Sequence, residues 1–263
     1  MTHMTPTFPR ILRNLTLSTA FLAFGQVACA QQSPLPEDKG TSNSAETAST
    51  DASEVLQTPM VEFAMTEAPD DHVIGSNLAP ITVIMYASVT CSHCGSWFES
   101  EWDAVKKDLI ESDKIRFILR PIPTQPQEMS VLGFLLAECA PESAYFDTIE
   151  YQMKNQKKMI DLASQGKGKD AYAPVAALAG LEDENAIRAC LQDPKMMEHL
   201  QLSGQRGTAA QIKGVPAFYV NGSPYNGKQD AHSLTELFNG MIESGVSQLP
   251  EVEPYNPHAG HGH

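Results

Sequence analysis

Apolar and polar positions divide the chain into stretches of different period. Ile81-Thr-Val-Ile-Met-Tyr86 is a nearly continuous apolar, β-branched run, the pattern of a buried central strand. Ahead of it, Val61-Glu-Phe-Ala-Met65 alternates and predicts an edge strand. Gly95 to Val105 reads as a helix, and Lys114-Ile-Arg-Phe-Ile-Leu-Arg120 as a second strand stopped by Pro121 and Pro123. A helical block follows. Leu132, Leu135, Leu136 and Cys139 fall on one helical face, and Tyr145, Phe146, Ile149 and Met153 form a second stripe. Ala171 to Ala179 predicts a third helix with Gly180 as its stop. Glu184 to Leu191 predicts a fourth, capped by Asp183, with Ile187, Cys190 and Leu191 inward. Asp193-Pro194 opens a longer helix, Asp capping and Pro in the first turn. Ala217-Phe-Tyr-Val220 then restores a strand pattern. Asn221-Gly222 marks a hairpin turn, and Ser223 to Asn226 is the return strand. Leu234, Leu237 and Met241 mark a final amphipathic helix. Without the helical block, the order is βαβ followed by ββα.

The ends of the chain lack this periodicity. Arg10 and Arg13 precede an apolar stretch from Leu15 to Val27, and Ala28-Cys29-Ala30 fits a small-x-small cleavage site. Residues 1–30 therefore read as a secretory signal. The stretch is short for an uncleaved membrane anchor. The other alternative is a lipoprotein acylated at Cys29, but Gln26 stands where a lipobox usually has an aliphatic residue. Residues 31–59 are rich in Ser, Thr, Ala, Glu and Asp and read as a flexible acidic linker, because they cannot bury enough apolar surface to order themselves. Residues 60–248 form the expected folded domain, and residues 249–263 a disordered tail with His258, His261 and His263. With 18 basic against 32 acidic residues, the net charge is −14, which disfavours nucleic acid and anionic membrane surfaces as partners.

Chemistry concentrates at Cys91-Ser-His-Cys94, between the central strand and the first helix. A Cys-x-x-Cys there puts the first sulfur at a helix N-terminus, where free N–H groups favour a thiolate. A stabilised thiolate is both nucleophile and leaving group, as thiol–disulfide exchange requires. The alternative is half of a zinc site, but there is no second Cys-x-x-Cys, and the histidines of the tail lie far away.

With these motifs in place, the chain resembles the DsbA-like branch of the thioredoxin superfamily, exported disulfide oxidoreductases of bacteria. The resemblance rests on Ala79-Pro-Ile-Thr-Val-Ile-Met-Tyr-Ala-Ser-Val-Thr-Cys-Ser-His-Cys94, Arg116-Phe-Ile-Leu-Arg-Pro121, Ala137-Glu-Cys-Ala140 and Lys213-Gly-Val-Pro-Ala-Phe-Tyr-Val-Asn-Gly222. It implies an α/β fold: a thioredoxin domain with halves near 60–125 and 212–248 and a helical lobe inserted over about 126–211. It also implies that Cys91 is the exposed nucleophile, Cys94 the buried partner, and Val215-Pro216 a cis-proline loop that holds extended substrate. His93, inside the motif, would further stabilise the Cys91 thiolate. The implied partners are unfolded or reduced exported proteins and a membrane oxidase for reoxidation. The implied location is the periplasm, with no cofactor and no metal. Two departures stand out. Ser92 replaces the proline of many relatives, and Met85 stands where relatives carry a buried acid.

Two further cysteines, Cys139 and Cys190, fall on inward helix positions of the same lobe, which predicts a structural disulfide in an exported protein. The alternative is two reduced core cysteines. Trp97, Phe98 and Trp102 have helical spacing and read as core or rim packing. The His-containing tail reads as a solvated end more than as a chelator. Three functions fit: an oxidase of client proteins, an isomerase or reductase held reduced by a partner, and a periplasmic metal-binding or chaperone-like module. The short linker disfavours an isomerase, which usually adds a dimerisation module there, and the intact Cys-x-x-Cys disfavours the third.

Overall fold

The computed structural model describes residues 63–249. The proposed signal, the whole linker and the tail beyond residue 249 lie outside these residues. Five strands form one sheet in the order β1-β3-β2-β4-β5. At its centre β2 (Ile81–Ala87) pairs in parallel with β3 (Ile115–Pro121) and antiparallel with β4 (Ala217–Val220). β4 turns through Asn221 and Gly222, both at positive φ (47° and 82°), into β5 (Ser223–Tyr225). The Asn-Gly pair supplies the left-handed backbone that a tight hairpin needs.

Alternate residues of β2 serve opposite faces, as strand geometry requires. Ile81, Val83, Met85 and Ala87 join the larger core with Phe98, Trp102, Phe117, Phe134, Phe218 and Phe238. Ile84 and Tyr86 join a smaller core with Ile118, Tyr219 and Ala210. That is why the β2 sequence is apolar at successive positions rather than alternating.

Of the edge strand expected at Val61–Met65, residues 61 and 62 lie outside the described residues; residues 63–66 form turns and bends instead of a strand, and the described edge belongs to β1 (Val73–Ile74), antiparallel to β3. The reason is Arg120. Its side chain, 1% exposed, points inward from β3 and takes the carbonyls of Phe63, Ala64 and Thr66, the Tyr86 hydroxyl and both Asp71 carboxylate oxygens. Carbonyls spent on a buried guanidinium are not free for a ladder.

The first helix also differs from its expected bounds. α1 (Ser92–Ser100) starts earlier and breaks at Glu101. α2 (Trp102–Val105) continues into a π turn at Lys106–Ile110. The break has a use: Glu101 Oε2 accepts a 2.8 Å hydrogen bond from the Ala231 backbone N–H, at the start of α9 (Ala231–Ser244). Trp97, Phe98 and Trp102 are buried against Phe117 and Phe218.

Between β3 and β4 run α3 (Gln127–Glu138), α4 (Glu142–Lys154), α5 (Gln156–Ser164), α6 (Gly168–Leu178), α7 (Glu184–Leu191) and α8 (Pro194–Ala209). The sequence pattern did not announce α5, in which Met159 alone is fully buried. Asp183 and Asp193 cap α7 and α8 with side-chain hydrogen bonds, and Gly180 at φ +73° follows α6. Cys139 is the C-cap of α3, just past its last turn, and α7 has no fully buried residue, so neither cysteine is as deeply inward as its helical stripe suggests. The two are joined as a disulfide with Cα atoms 6.0 Å apart.

Candidate active site

The site begins with the end of β2. The chain leaves the sheet at Ala87, crosses Ser88-Val89-Thr90 and enters α1 with Cys91 as its N-cap. Cys91 has extended backbone angles (φ −80°, ψ 119°) and no side-chain cap, while its carbonyl accepts the first helical bond from Gly95. The amides of the first turn are left without intrahelical partners and mark a position that favours an anion. Cys91 is half-buried; Cys94, one turn on, is 0% exposed and belongs to the larger core. Both are free thiols.

The two sulfurs therefore meet different surroundings. Burial pushes the Cys94 thiol up, and a hydrogen bond from the Ser88 backbone only partly offsets it. Cys91 Sγ instead faces a polar group, donating a 3.3 Å hydrogen bond to the Val215 carbonyl. The Val215–Pro216 peptide is cis, and both residues are half-buried beside the sulfur. His93 lies on the exposed face of the first turn, and its ring makes no hydrogen bond or ion pair among the described residues. Met85 is fully buried on β2, so its position contributes no proton-carrying group.

Two features of the site have no sequence signature. Gln156, at the start of α5, reaches across with Nε2 and donates to the carbonyls of Val89 and Cys91, at 2.9 and 3.0 Å. It lies over Gly95, where a Cβ would stand 3.1 Å from Gln156 Oε1. A helix of the lobe thus holds the backbone of the Cys91 loop, and a glycine makes room for it. The second feature is a cluster of hydroxyls behind the loop. Ser88 Oγ lies 2.9 Å from Ser130 Oγ, 2.9 Å from Thr124 Oγ1 and 3.2 Å from Thr90 Oγ1. Ser88 and Ser130 are completely buried, and the cluster joins the loop before Cys91 to the segment after β3 and to α3. Spacing alone does not point to either feature, because both join residues far apart in the chain.

A half-exposed thiol at a helix N-terminus, a buried thiol one turn away and a carbonyl acceptor opposite can exchange disulfides by sulfur–sulfur displacement. Comparison with known proteins agrees with that arrangement. Residues 67–239 match the family model described as Thioredoxin. A candidate protein-disulfide oxidoreductase of Rickettsia bellii is 26% identical over 196 residues, covering 74% of this chain and 72% of the relative. A counterpart in Rickettsia typhi is 26% identical over 154 residues, 58% of this chain and 55% of the relative, so the match spans little more than half of that relative's length. Among solved structures, alpha-DsbA1 of Wolbachia pipientis shares the fold with a TM-score of 0.59 and 21% identity, covering 68% of this chain and 94% of that one. The chain belongs to the thioredoxin family.

Proposed function

We propose that this protein is an exported thiol:disulfide oxidoreductase that donates a Cys91–Cys94 disulfide to client proteins. The observation that carries the reading is the asymmetry of the pair: Cys91 at the mouth of the site against the Val215 carbonyl, Cys94 sealed in the core. In the oxidised form a client thiolate attacks Cys91 Sγ, the only sulfur of the two within reach. The Cys91–Cys94 bond breaks, a client–Cys91 disulfide forms, and Cys94 leaves as a thiolate that takes a proton. A second client thiolate then attacks the client sulfur of that mixed disulfide, and Cys91 leaves. The client gains a disulfide and the enzyme pair is left reduced, so turnover needs an outside oxidant. A membrane-bound oxidase is the partner that the family resemblance implies for that step.

Val215 and Pro216 would seat the client beside Cys91 in extended form, with the backbone of Val215 as the pairing edge. His93 would act on the Cys91 anion from the first turn of α1, through charge rather than a direct contact. The terminal pattern of residues 1–30 supports export to the periplasm, where such a disulfide persists. No helix among the described residues is long and apolar enough to cross a membrane. The bond between Cys139 and Cys190 is structural in this reading: it ties the end of α3 to α7 within the lobe.

The direction of exchange is tested by equilibrating the purified protein with glutathione mixtures. A pair that remains mostly reduced only under strongly reducing mixtures belongs to a reductase, and one that oxidises reduced clients at the glutathione poise of a cell belongs to an oxidase. The expected result is the second.

A further inference from the structure

Away from the cysteines, three residues distant in sequence meet in a half-buried cluster. His72 precedes β1, Glu138 ends α3, and His199 lies within α8. One ligand atom from each falls within 4.8 Å of the others. His72 Nε2 is 3.1 Å from one Glu138 carboxylate oxygen, and His199 Nδ1 is 2.8 Å from the other. Their side chains are 17%, 5% and 14% exposed.

The opposite ring nitrogens also face carboxylates. His72 Nδ1 lies 2.8 Å from Glu142 Oε2. His199 Nε2 is buried without a hydrogen-bond partner, 3.7 Å from Asp70 Oδ2. Asp70 is itself held by both terminal nitrogens of Arg206. A neutral imidazole has one N–H and one lone pair. If each ring donates its proton to Glu138, each turns a bare lone pair toward a second carboxylate, which also offers only lone pairs. Relief requires either two extra protons, making both rings imidazolium, or a cation between the rings and Glu138. With a metal there, the inner nitrogens give their lone pairs to it and the outer N–H groups point at Glu142 and Asp70. Metal-bound histidines usually have such carboxylate partners for their other nitrogen.

We propose that His72, Glu138 and His199 form a divalent transition-metal site, fitted to zinc, that clips the sheet edge at β1 to α3 and α8 of the helical lobe. Two imidazoles and one carboxylate suit a borderline cation such as Zn²⁺ better than a hard one. Three protein ligands leave a fourth position open on a tetrahedral ion. Glu138 adjoins Cys139, so the clip and the disulfide fasten the same end of α3. His72 also stacks on Tyr145, with ring centroids 3.7 Å apart, which fixes its plane.

The test uses the full chain with His258, His261 and His263 replaced by alanine and with Cys91–Cys94 oxidised, which removes the clustered histidines of the tail and the paired thiols as competing zinc ligands. After chelator treatment and dialysis, zinc alone is titrated in by calorimetry at neutral pH. The expected result is one zinc bound per chain and a melting temperature that rises with free zinc. His199→Ala and Glu138→Gln should each weaken uptake at least about 100-fold, and Asp70→Asn, which weakens the partner of an outer nitrogen without removing a ligand, about 10-fold. Should those variants fail to fold, the parent protein loaded with cobalt decides. Visible absorption bands of a four-coordinate nitrogen–oxygen site support the clip, and their absence overturns it. No zinc uptake by the parent, or uptake unchanged in folded Glu138→Gln and His199→Ala, also overturns it and leaves two imidazolium ions as the content of the cluster.

Discussion

At the scale of single residues, burial separates chemically identical groups. Cys91 and Cys94 are three positions apart, yet one is half-buried and the other is sealed in the core, with its thiol pushed up by burial. Iodoacetamide added to the reduced protein at neutral pH should therefore modify Cys91 first and Cys94 far more slowly; mass spectrometry of the two peptides over time measures both rates. Equal rates would contradict the assignment of roles. Arg120 and Asp71 show the other use of burial. Their side chains are 1% and 2% exposed, and every guanidinium nitrogen is hydrogen-bonded. Arg120→Ala removes the bidentate partner of buried Asp71 and the guanidinium donor to the 63–66 turn, so a loss of about 3–5 kcal/mol is expected in urea unfolding.

At the scale of elements, helices of the lobe reach back to the thioredoxin part. Gln156 on α5 donates to both carbonyls of the Cys91 loop. Gln156→Ala should cost about 1–3 kcal/mol by removing the side-chain donor shared by these carbonyls, and should increase hydrogen exchange in the amides of residues 89–92. Unchanged exchange there would show that the loop holds its shape without α5. A second tie joins α4 to α2 and the π turn. Burial opposes the charge of Glu150, but hydrogen bonds from Lys106, Lys154 and Trp102 overcome it and bring its carboxyl down to about 2. A depressed carboxyl adds stability above its unfolded value, near 4.3, and loses it as pH falls toward the folded value. Wild type should thus lose, between about pH 4.5 and 2, an increment of about 1–2 kcal/mol that Glu150→Gln already lacks at pH 7, after allowance for solvent screening. Unfolding curves of the two proteins across that range would converge at the acid end.

At the scale of the whole molecule, the sequence was legible where the physics is local. A continuous apolar run, an Asn-Gly turn and capping aspartates identify β2, the β4–β5 hairpin, α7 and α8, because strand burial, left-handed backbone and orphan amides each demand particular residues nearby. Cys91 and Cys94 were singled out by spacing and type, whereas Val215-Pro216 came only from the family resemblance. What escaped depends on distant partners. The turns at 63–66 answer to Arg120, the break at Glu101 answers to the start of α9, and α5 earns its place through Gln156 and one buried methionine. His72, Glu138 and His199 carry no common motif, since a turn and two helices bring them together. The central claim, that the Cys91–Cys94 disulfide passes to clients, is tested most directly by single-turnover transfer. Oxidised protein is mixed with a reduced, unfolded client bearing two cysteines, and client disulfides are counted after acid quench. The expected result is one client disulfide per wild-type chain and none with Cys91→Ser. Full transfer by Cys91→Ser, or none by wild type, would contradict it.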